Sequence, residues 1–129
     1  MVNIMETPET VIELIDAQVF QGHNLILSDV DIKINKGDFF YLVGQTGSGK
    51  SSLLKTMYGE LFLQKGAGKI AGFDLTSLKL KDVPFLRRKL GIVFQDFQLL
   101  TDRTVYQNLS FVLKATGWKD ENQIKNRIA

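Results

Sequence analysis

The chain has 129 residues, of which 44% are hydrophobic and 23% charged, and this composition is ordinary for a globular domain that buries its own core. It contains no cysteine, which excludes disulfides, thiolate metal sites and cysteine nucleophiles. The net charge of +2 is unevenly spread, with a net −5 over residues 1–49 and a net +7 over residues 50–129. This asymmetry fits a surface that faces phosphates or another polyanion, and it fits solvated helix faces equally well.

No targeting or membrane-spanning segment is predicted. Residues 1–10 lack the basic stretch and following apolar run that are typical of a signal peptide. The longest clearly apolar run, Phe39–Val43, is far too short to cross a bilayer. We therefore expect any membrane association to come through a partner.

The first 43 residues predict β structure. Val11–Phe20 is typical of a first strand, and Val30–Ile34 alternates between apolar and polar residues as an antiparallel strand with one solvated face does. A turn is expected at Asn35–Asp38. Phe39–Val43 is continuously apolar, which predicts a strand buried on both faces of a parallel sheet.

Helices and short strands are expected to alternate after a glycine-rich loop. Gly66–Gly72 is typical of a loop region around a short strand, and Ile92–Phe94 predicts another short strand. Between them, Asp82 is placed to cap a short basic helix. The helix that follows the glycine-rich loop is predicted by apolar residues at helical spacing, namely Leu53, Leu54, Met57, Tyr58 and Leu61.

Two capping patterns mark the last helices. Thr104 and Gln107 have the spacing of a capping box, and the helix that they open is expected to end at Gly117. Asp120 is predicted to cap one more helix. The sequence stops inside that helix, and because domains rarely end in mid-helix we expect a truncated domain.

The segment Gly44–Ser51 matches G-x-x-x-x-G-K-[ST], the pattern of a phosphate-binding loop. Glycines let the backbone N–H groups surround an anion, and the following helix directs its positive dipole end at the same place. Lys50 would supply charge to the β and γ phosphates of ATP, and the Ser51 hydroxyl would ligate Mg²⁺. The residues predicted to contact the nucleotide here are Gly44, Gly47, Ser48, Gly49, Lys50, Ser51 and Ser52.

The position of this loop disfavours GTP. Nucleoside kinases and small GTPases usually carry the loop near the N-terminus, whereas 43 residues precede it here. The chain also has no Asn-Lys-x-Asp motif, which reads guanine. ATP is therefore the expected nucleotide.

Two stretches resemble the ATP-binding-cassette (ABC) ATPases. Residues 25–51, LILSDVDIKINKGDFFYLVGQTGSGKS, are similar to the opening of such a subunit, and Gly91–Leu100, GIVFQDFQLL, resembles the family's Q-loop. The resemblance implies that Gln95 reaches Mg²⁺ and the attacking water as a catalytic and metal-contacting residue. It also implies that Phe20 stacks on adenine. A glutamine in a surface turn and a core phenylalanine at a strand end are the alternatives.

Within the family, the segment VFQDFQLLTDRTVYQNL most resembles the FtsE group of bacterial cell-division ATPases. The similarity extends over about residues 11–129. It implies an α/β P-loop NTPase fold of the ABC type, with a partial parallel sheet and an N-terminal antiparallel β subdomain. It also implies a homodimer of the full-length ATPase and an FtsX-like integral membrane permease at the cytoplasmic face of the inner membrane. An ATPase subunit of a lipoprotein-releasing or macrolide exporter is one alternative, and a non-hydrolysing nucleotide-binding module is another.

Motifs of the family's C-terminal half are absent from the sequence. There is no Leu-Ser-Gly-Gly-Gln signature, no apolar strand that ends in Asp-Glu and no switch histidine after it. Residues 1–129 are therefore expected to form a single, incomplete nucleotide-binding domain. Because phosphoryl transfer to water also needs a positioned nucleophile, we expect at best weak ATP binding and negligible hydrolysis by this chain alone.

Overall fold

The computed structural model of the protein describes residues 7–129. Two compact units are present, one ending at Leu90 and the other spanning Gly91–Ala129. Within the described residues, no helix is both long enough and apolar enough to span a bilayer. The first unit contains β1 (Thr10–Gln21), β2 (Asn24–Asn35), α1 (Lys50–Met57), β3 (Lys65–Ile70), β4 (Phe73–Asp74) and α2 (Val83–Arg87), and the second contains α3 (Val105–Ala115) and α4 (Glu121–Ile128).

The sheet of the first unit has the order β2-β1-β3-β4, and every pair in it is antiparallel. The two predicted N-terminal strands are confirmed, and both are longer than their sequence patterns indicated. They form a hairpin whose pairing runs from Thr10 opposite Asn35 to Gln21 opposite Asn24. The expected turn after β2 is also confirmed, because the Asp38 N–H donates to the carbonyl of Asn35 at 3.1 Å.

A bulge in β1 governs how β3 packs beside it. The register shifts between Leu14 and Ala17, and Asp16 has a φ of 46°. The Asp31 carboxylate accepts a 2.8 Å hydrogen bond from the Asp16 N–H. On the other side of the bulge lies Gly66 at the start of β3, which also has a positive φ, 85°. The two strands therefore come unusually close at this point.

The core lies between the sheet and the two helices of the first unit. The predicted apolar face of α1 is only partly buried, since Leu53 is 3% exposed but Leu54 is 49% exposed. The helix also ends at Met57, so that Tyr58 and Leu61 lie beyond it. The buried hydrophobic residues of this core are Leu14, Ala17, Val19, Leu53, Leu63, Ile70, Leu75 and Leu86.

Two predicted strands, Phe39–Val43 and Ile92–Phe94, are not formed in the described part of the chain. Phe39 and Val43 are 82% and 83% exposed, and the ring of Phe39 packs edge-on against Tyr41 at 4.9 Å between centroids. Neither run pairs with another strand of residues 7–129, and a strand persists only where its backbone N–H and C=O groups find partners. The expectation of a partial parallel sheet was therefore wrong for the described residues.

The predicted caps of the second unit are confirmed. The Thr104 hydroxyl accepts from the Gln107 N–H at 3.2 Å, and the Gln107 side chain accepts from the Thr104 N–H at 2.9 Å. Gly117, with a φ of 100°, follows the end of α3. The Asp120 carboxylate accepts from two N–H groups in the first turn of α4, at 2.8 and 2.9 Å.

The expectation that the Asp82 side chain caps α2 was wrong. Asp82 does precede the helix, but it makes no side-chain capping bond to it. Its carboxylate instead accepts from the backbone N–H of Lys79 at 3.1 Å. The Asp82 carboxylate therefore closes the turn that precedes the helix, by bonding to the backbone N–H of Lys79 three residues earlier.

Replacing Gly66 with Ala should strongly destabilise the first unit. The new Cβ would lie 2.3 Å from the Asp16 carbonyl oxygen and 2.6 Å from the Ala17 Cα, in a backbone conformation with φ 85°. Backbone strain and overpacking each cost about 1–3 kcal/mol. We expect the free energy of unfolding, from urea titration followed by circular dichroism, to fall by about 3 kcal/mol or more.

Gly72→Ala is the matched control for this substitution. Gly72 has nearly the same φ, 88°, but its added Cβ would meet nothing within 4 Å. The left-handed conformation alone should then cost about 1–2 kcal/mol. Equal losses for the two variants would show that the approach to Asp16 does not matter.

Candidate functional site

The glycine-rich loop uses its three glycines for two different reasons. Gly47 and Gly49 have φ values of 80° and 91°, which disfavour residues with a Cβ. Gly44 instead leaves room for a side chain, because a Cβ there would lie 2.7 Å from the Ser48 hydroxyl oxygen, which would have to move. The Ser48 N–H donates to the Gln45 carbonyl at 3.1 Å and closes the turn. The loop is therefore as tight as its sequence pattern predicts.

Gly49 also brings the start of α1 against strand β2. A Cβ on Gly49 would lie 2.9 Å from the Ile26 Cγ2 and 2.9 Å from the Leu27 Cγ. The Gly49 carbonyl accepts the first helical hydrogen bond, from the Leu53 N–H at 2.9 Å. Since Leu53 is buried in the core, the N-terminal end of α1 has a fixed position on the hairpin.

The side chain of Lys50 folds back into the loop. Its ammonium donates to the carbonyls of Gly44 and Gln45 at 2.7 and 2.6 Å, and to the Ser48 hydroxyl at 3.2 Å. An ammonium group has three N–H donors, so all of them are engaged within the loop. The arrangement places one full positive charge next to the backbone carbonyls of Gly44 and Gln45.

The N-terminus of α1 has no side-chain cap. Its capping residue is Gly49, and no acidic residue occupies its first turn. Ser51 and Ser52 lie in this first turn, Ser51 exposed and Ser52 half-buried. Because the first N–H groups of a helix have no intrahelical partner, this end of α1 attracts anions. The Ser51 hydroxyl is the oxygen available there to a hard cation such as Mg²⁺.

The other end of α1 is held by a group of side chains that the sequence did not predict. The Arg87 Nε donates to the Tyr58 carbonyl at 2.9 Å, and its guanidinium lies 5.7 Å from the centroid of the Tyr58 ring. The Tyr58 hydroxyl donates to Glu60 at 3.0 Å, and Lys55 pairs with the same carboxylate at 2.9 Å. A cation at the carboxyl end of a helix is favourable, so Arg87 secures α1 opposite the loop.

These contacts shift the pKa values of their members. The hydrogen bond from Lys55, followed by the one from Tyr58, lowers the pKa of Glu60. The same Glu60 contact raises the pKa of Lys55. Burial is the largest cause that raises the pKa of Tyr58, and its bond to Glu60 adds to it.

The remaining predicted site residues lie away from the loop in the chain. Phe20 is near the end of β1, opposite Leu25, and is half-buried, so part of its ring is accessible. Gln95 belongs to the second unit and is exposed in a turn that also contains Phe97 and Gln98, both with positive φ. The structure thus brings the phosphate-loop residues together, whereas adenine stacking by Phe20 and metal contact by Gln95 stay predictions.

The second unit has an open surface cavity of about 360 Å³ between residues of α3 and the start of α4. Its charged groups already have partners, since Lys114 pairs with Glu121 at 2.7 Å and Arg103 lies 5.4 Å from the ring centroid of Phe111. The residues that line it are Arg103, Tyr106, Gln107, Ser110, Phe111, Lys114 and Glu121. The cations of the cavity are therefore engaged within the protein, as Lys50 is within its loop.

Residues 27–129 match the family model described as ABC transporter. Among curated proteins, the chain is 38% identical over 120 residues to the cell division ATP-binding protein FtsE of Streptococcus pneumoniae, which covers 92% of this chain and 52% of that protein. It is 42% identical over 102 residues to FtsE of Bacillus subtilis, a match that covers 79% of this chain and 44% of that protein. It is 39% identical over 115 residues to FtsE of Escherichia coli, a match that covers 88% of this chain and 50% of that protein. The chain spans about half the length of these relatives.

Solved ABC cassettes share the fold. A dimeric ATP-binding cassette in a post-hydrolysis state, bound to ADP and Pi, matches with a TM-score of 0.77 and 24% identity over 92% of this chain and 54% of that one. The cbiO1 protein of Clostridium perfringens, part of an ABC transporter complex, matches with a TM-score of 0.78 and 25% identity. That match covers 92% of this chain and 47% of the cbiO1 chain. These similarities confirm the predicted fold class and the predicted likeness to FtsE proteins.

Glu60 should titrate below the pKa of an unpaired glutamate, because Lys55 and Tyr58 stabilise its ionised form. This stabilisation is present above the pKa of Glu60 in the unfolded chain, and it is lost as the pH falls through the lower folded pKa. We expect a titration followed by carbon-13 NMR of the Glu60 carboxyl to have its midpoint below that of an unpaired glutamate. Lys55→Gln should move the midpoint upward.

Lys36→Gln is the control for this titration, because Lys36 pairs with a different carboxylate, that of Glu9, at 3.3 Å. It removes the same charge and should leave the Glu60 midpoint in place. If both variants shifted the midpoint equally, net charge rather than the local contact would set the pKa.

Proposed function

The chain belongs to the ABC transporter family, and on that basis we propose that its loop Gly44–Ser51 binds Mg-ATP. The observation that carries the proposal is the position of the Lys50 ammonium, within 2.7 Å of two loop carbonyls and next to the uncapped N-terminus of α1. A bound polyphosphate would meet a full positive charge and several backbone N–H groups at once. These are the two kinds of donor that bind phosphate most strongly.

Three other residues complete the proposed site. The Ser51 hydroxyl would hold Mg²⁺, which neutralises charge on the β and γ phosphate oxygens when bound. Phe20 would stack on adenine with the accessible part of its ring. Gln95 would orient a water near the metal, because a carboxamide both donates and accepts hydrogen bonds without carrying charge. It would also couple the nucleotide state to a membrane partner.

The proposed role of the whole protein follows from its similarity to FtsE proteins. Identities of 38–42% over most of this chain support an FtsE-like ATPase, in which residues 1–129 are one incomplete nucleotide-binding domain. Such an ATPase would act as a homodimer at the cytoplasmic face of the inner membrane. It would hydrolyse ATP to drive an FtsX-like permease in cell division.

Lys50→Ala should weaken Mg-ATP binding by about 10- to 100-fold, because it removes charge-assisted hydrogen bonds to the phosphates. Isothermal titration calorimetry of the purified chain would measure this change. Lys69→Ala is the control. Lys69 is exposed on β3, and its replacement removes the same charge from the same unit.

Loss of binding in the Lys50 variant alone supports the proposed site. Equal affinity in all three proteins, or no binding in any of them, contradicts it. Steady-state phosphate release by the unmodified chain would contradict the expectation of negligible hydrolysis by residues 1–129 alone.

An FtsX-type permease should retain this chain on an affinity column in detergent, whereas a lipoprotein-releasing permease should not. The expectation follows from the resemblance of residues 93–109, VFQDFQLLTDRTVYQNL, to the FtsE group. Quantitative immunoblotting after co-expression with each permease would measure retention. Retention by the exporter permease instead would assign the chain to export.

A further inference from the structure

Helix α2 and the turn before it present one face to the core and another to solvent. Val83 and Leu86 are 6% and 0% exposed and provide the inward face. The turn before the helix is closed by a 2.8 Å hydrogen bond from the Asp82 N–H to the Lys79 carbonyl. The buried side chains of residues 79–89 are therefore those of Val83 and Leu86.

The outward side chains of this segment are strongly basic. Residues 78–90 contain five cationic side chains and one acidic one. The acidic residue, Asp82, is occupied by the Lys79 backbone N–H, and Arg87 is engaged with the Tyr58 carbonyl. Lys79, Lys81, Arg87, Arg88 and Lys89 are all exposed.

The same segment also exposes two large apolar side chains. Leu80 is 77% exposed and Phe85 is 55% exposed. The guanidinium of Arg88 lies 5.2 Å from the centroid of the Phe85 ring, so a cation and an apolar group share one patch. The exposed residues Lys79, Leu80, Lys81, Phe85, Arg88 and Lys89 of this segment are together called the basic ridge below.

We propose that the basic ridge contacts an anionic lipid surface. Each lysine or arginine near such a surface favours binding by about fivefold, and exposed Leu and Phe side chains can enter the boundary between headgroups and acyl chains. An acidic protein partner fits less well, because a stable protein interface needs about 20–30 residues on each side. The basic ridge has six, and of its two apolar residues Leu80 lies in the turn before α2 and Phe85 on α2 itself.

This inference does not depend on nucleotide binding. The basic ridge contains no residue of the loop Gly44–Ser51, and its contact with lipid needs neither Lys50 nor a permease. Failure of the lipid experiment would therefore leave the proposed ATP site intact. Equally, an inactive phosphate loop would leave the basic ridge able to bind.

The test is flotation of the purified chain with vesicles. One set consists of equal parts of phosphatidylglycerol and phosphatidylcholine, and the other of phosphatidylcholine alone. We expect the chain to float with the anionic vesicles only, and to be released by high salt because exposed charges are screened. Replacing Lys81, Arg88 and Lys89 together with Gln should lower the partition coefficient by about 100-fold.

Two matched variants separate the basic ridge from general charge and general hydrophobicity. Lys119, Lys125 and Arg127, replaced together with Gln, remove the same charge from an exposed part of the second unit. The double variant Leu80→Ser, Phe85→Ser removes the two apolar side chains of the basic ridge. Its control is the double variant Phe97→Ser, Leu99→Ser, which removes the same two residue types where Phe97 is 72% and Leu99 is 64% exposed. Circular dichroism of every variant checks that it is folded.

The proposal is supported if the basic-ridge variants lose binding while both matched variants keep it. It is overturned if the unmodified chain does not float with anionic vesicles. It is also overturned if the matched variants lose as much binding as the basic-ridge variants. Retention of the unmodified chain by immobilised polyglutamate, without flotation, would assign the basic ridge to an acidic protein instead.

Discussion

The close approach of Gly49 to strand β2 fixes where helix α1 begins. Any side chain there would collide with Ile26 and Leu27 at 2.9 Å, and φ is already positive. One turn later, Leu53 is buried in the core. Near the far end of the helix, a Cβ added to Gly59 would lie 3.2 Å from a methyl carbon of Val83. The helix is held at both ends, so the protein itself fixes the geometry of the end that we propose binds phosphate. Such preorganisation lowers the entropy that binding must overcome.

Features whose causes are local could be predicted from the sequence. In the capping box, Thr104 and Gln107 are three residues apart, and both hydrogen bonds are present in the structure. The Asp120 carboxylate likewise reaches N–H groups two and three residues ahead. The alternating pattern in β2 was sufficient for the hairpin because β1 is adjacent in sequence. In each case donor and acceptor, or strand and partner, are brought together by a short stretch of chain.

Features that depend on distant partners could not be predicted in this way. Phe39–Val43 has the composition of a buried strand, but composition does not supply the neighbouring strand that its backbone requires. The Arg87 side chain binds the Tyr58 carbonyl across 29 residues of sequence, and an arginine at a helix end does not reveal its acceptor. For the loop, the motif predicted which residues surround an anion. It did not predict that the donors of Lys50 would already be engaged.

Engagement of Lys50 makes phosphate binding an exchange of hydrogen bonds. A phosphate oxygen must replace the carbonyls of Gly44 and Gln45 or share the ammonium with them, so the net gain is much smaller than the gross strength of the new bonds. The N–H groups at the start of α1 have no side-chain cap to displace, and their contribution to anion binding is not reduced in this way. Exchange at Lys50 is favourable only for an acceptor with more negative charge than a carbonyl oxygen. In the proposed site the helix amides would therefore provide general anion affinity, whereas Lys50 would select for the high charge density of a polyphosphate.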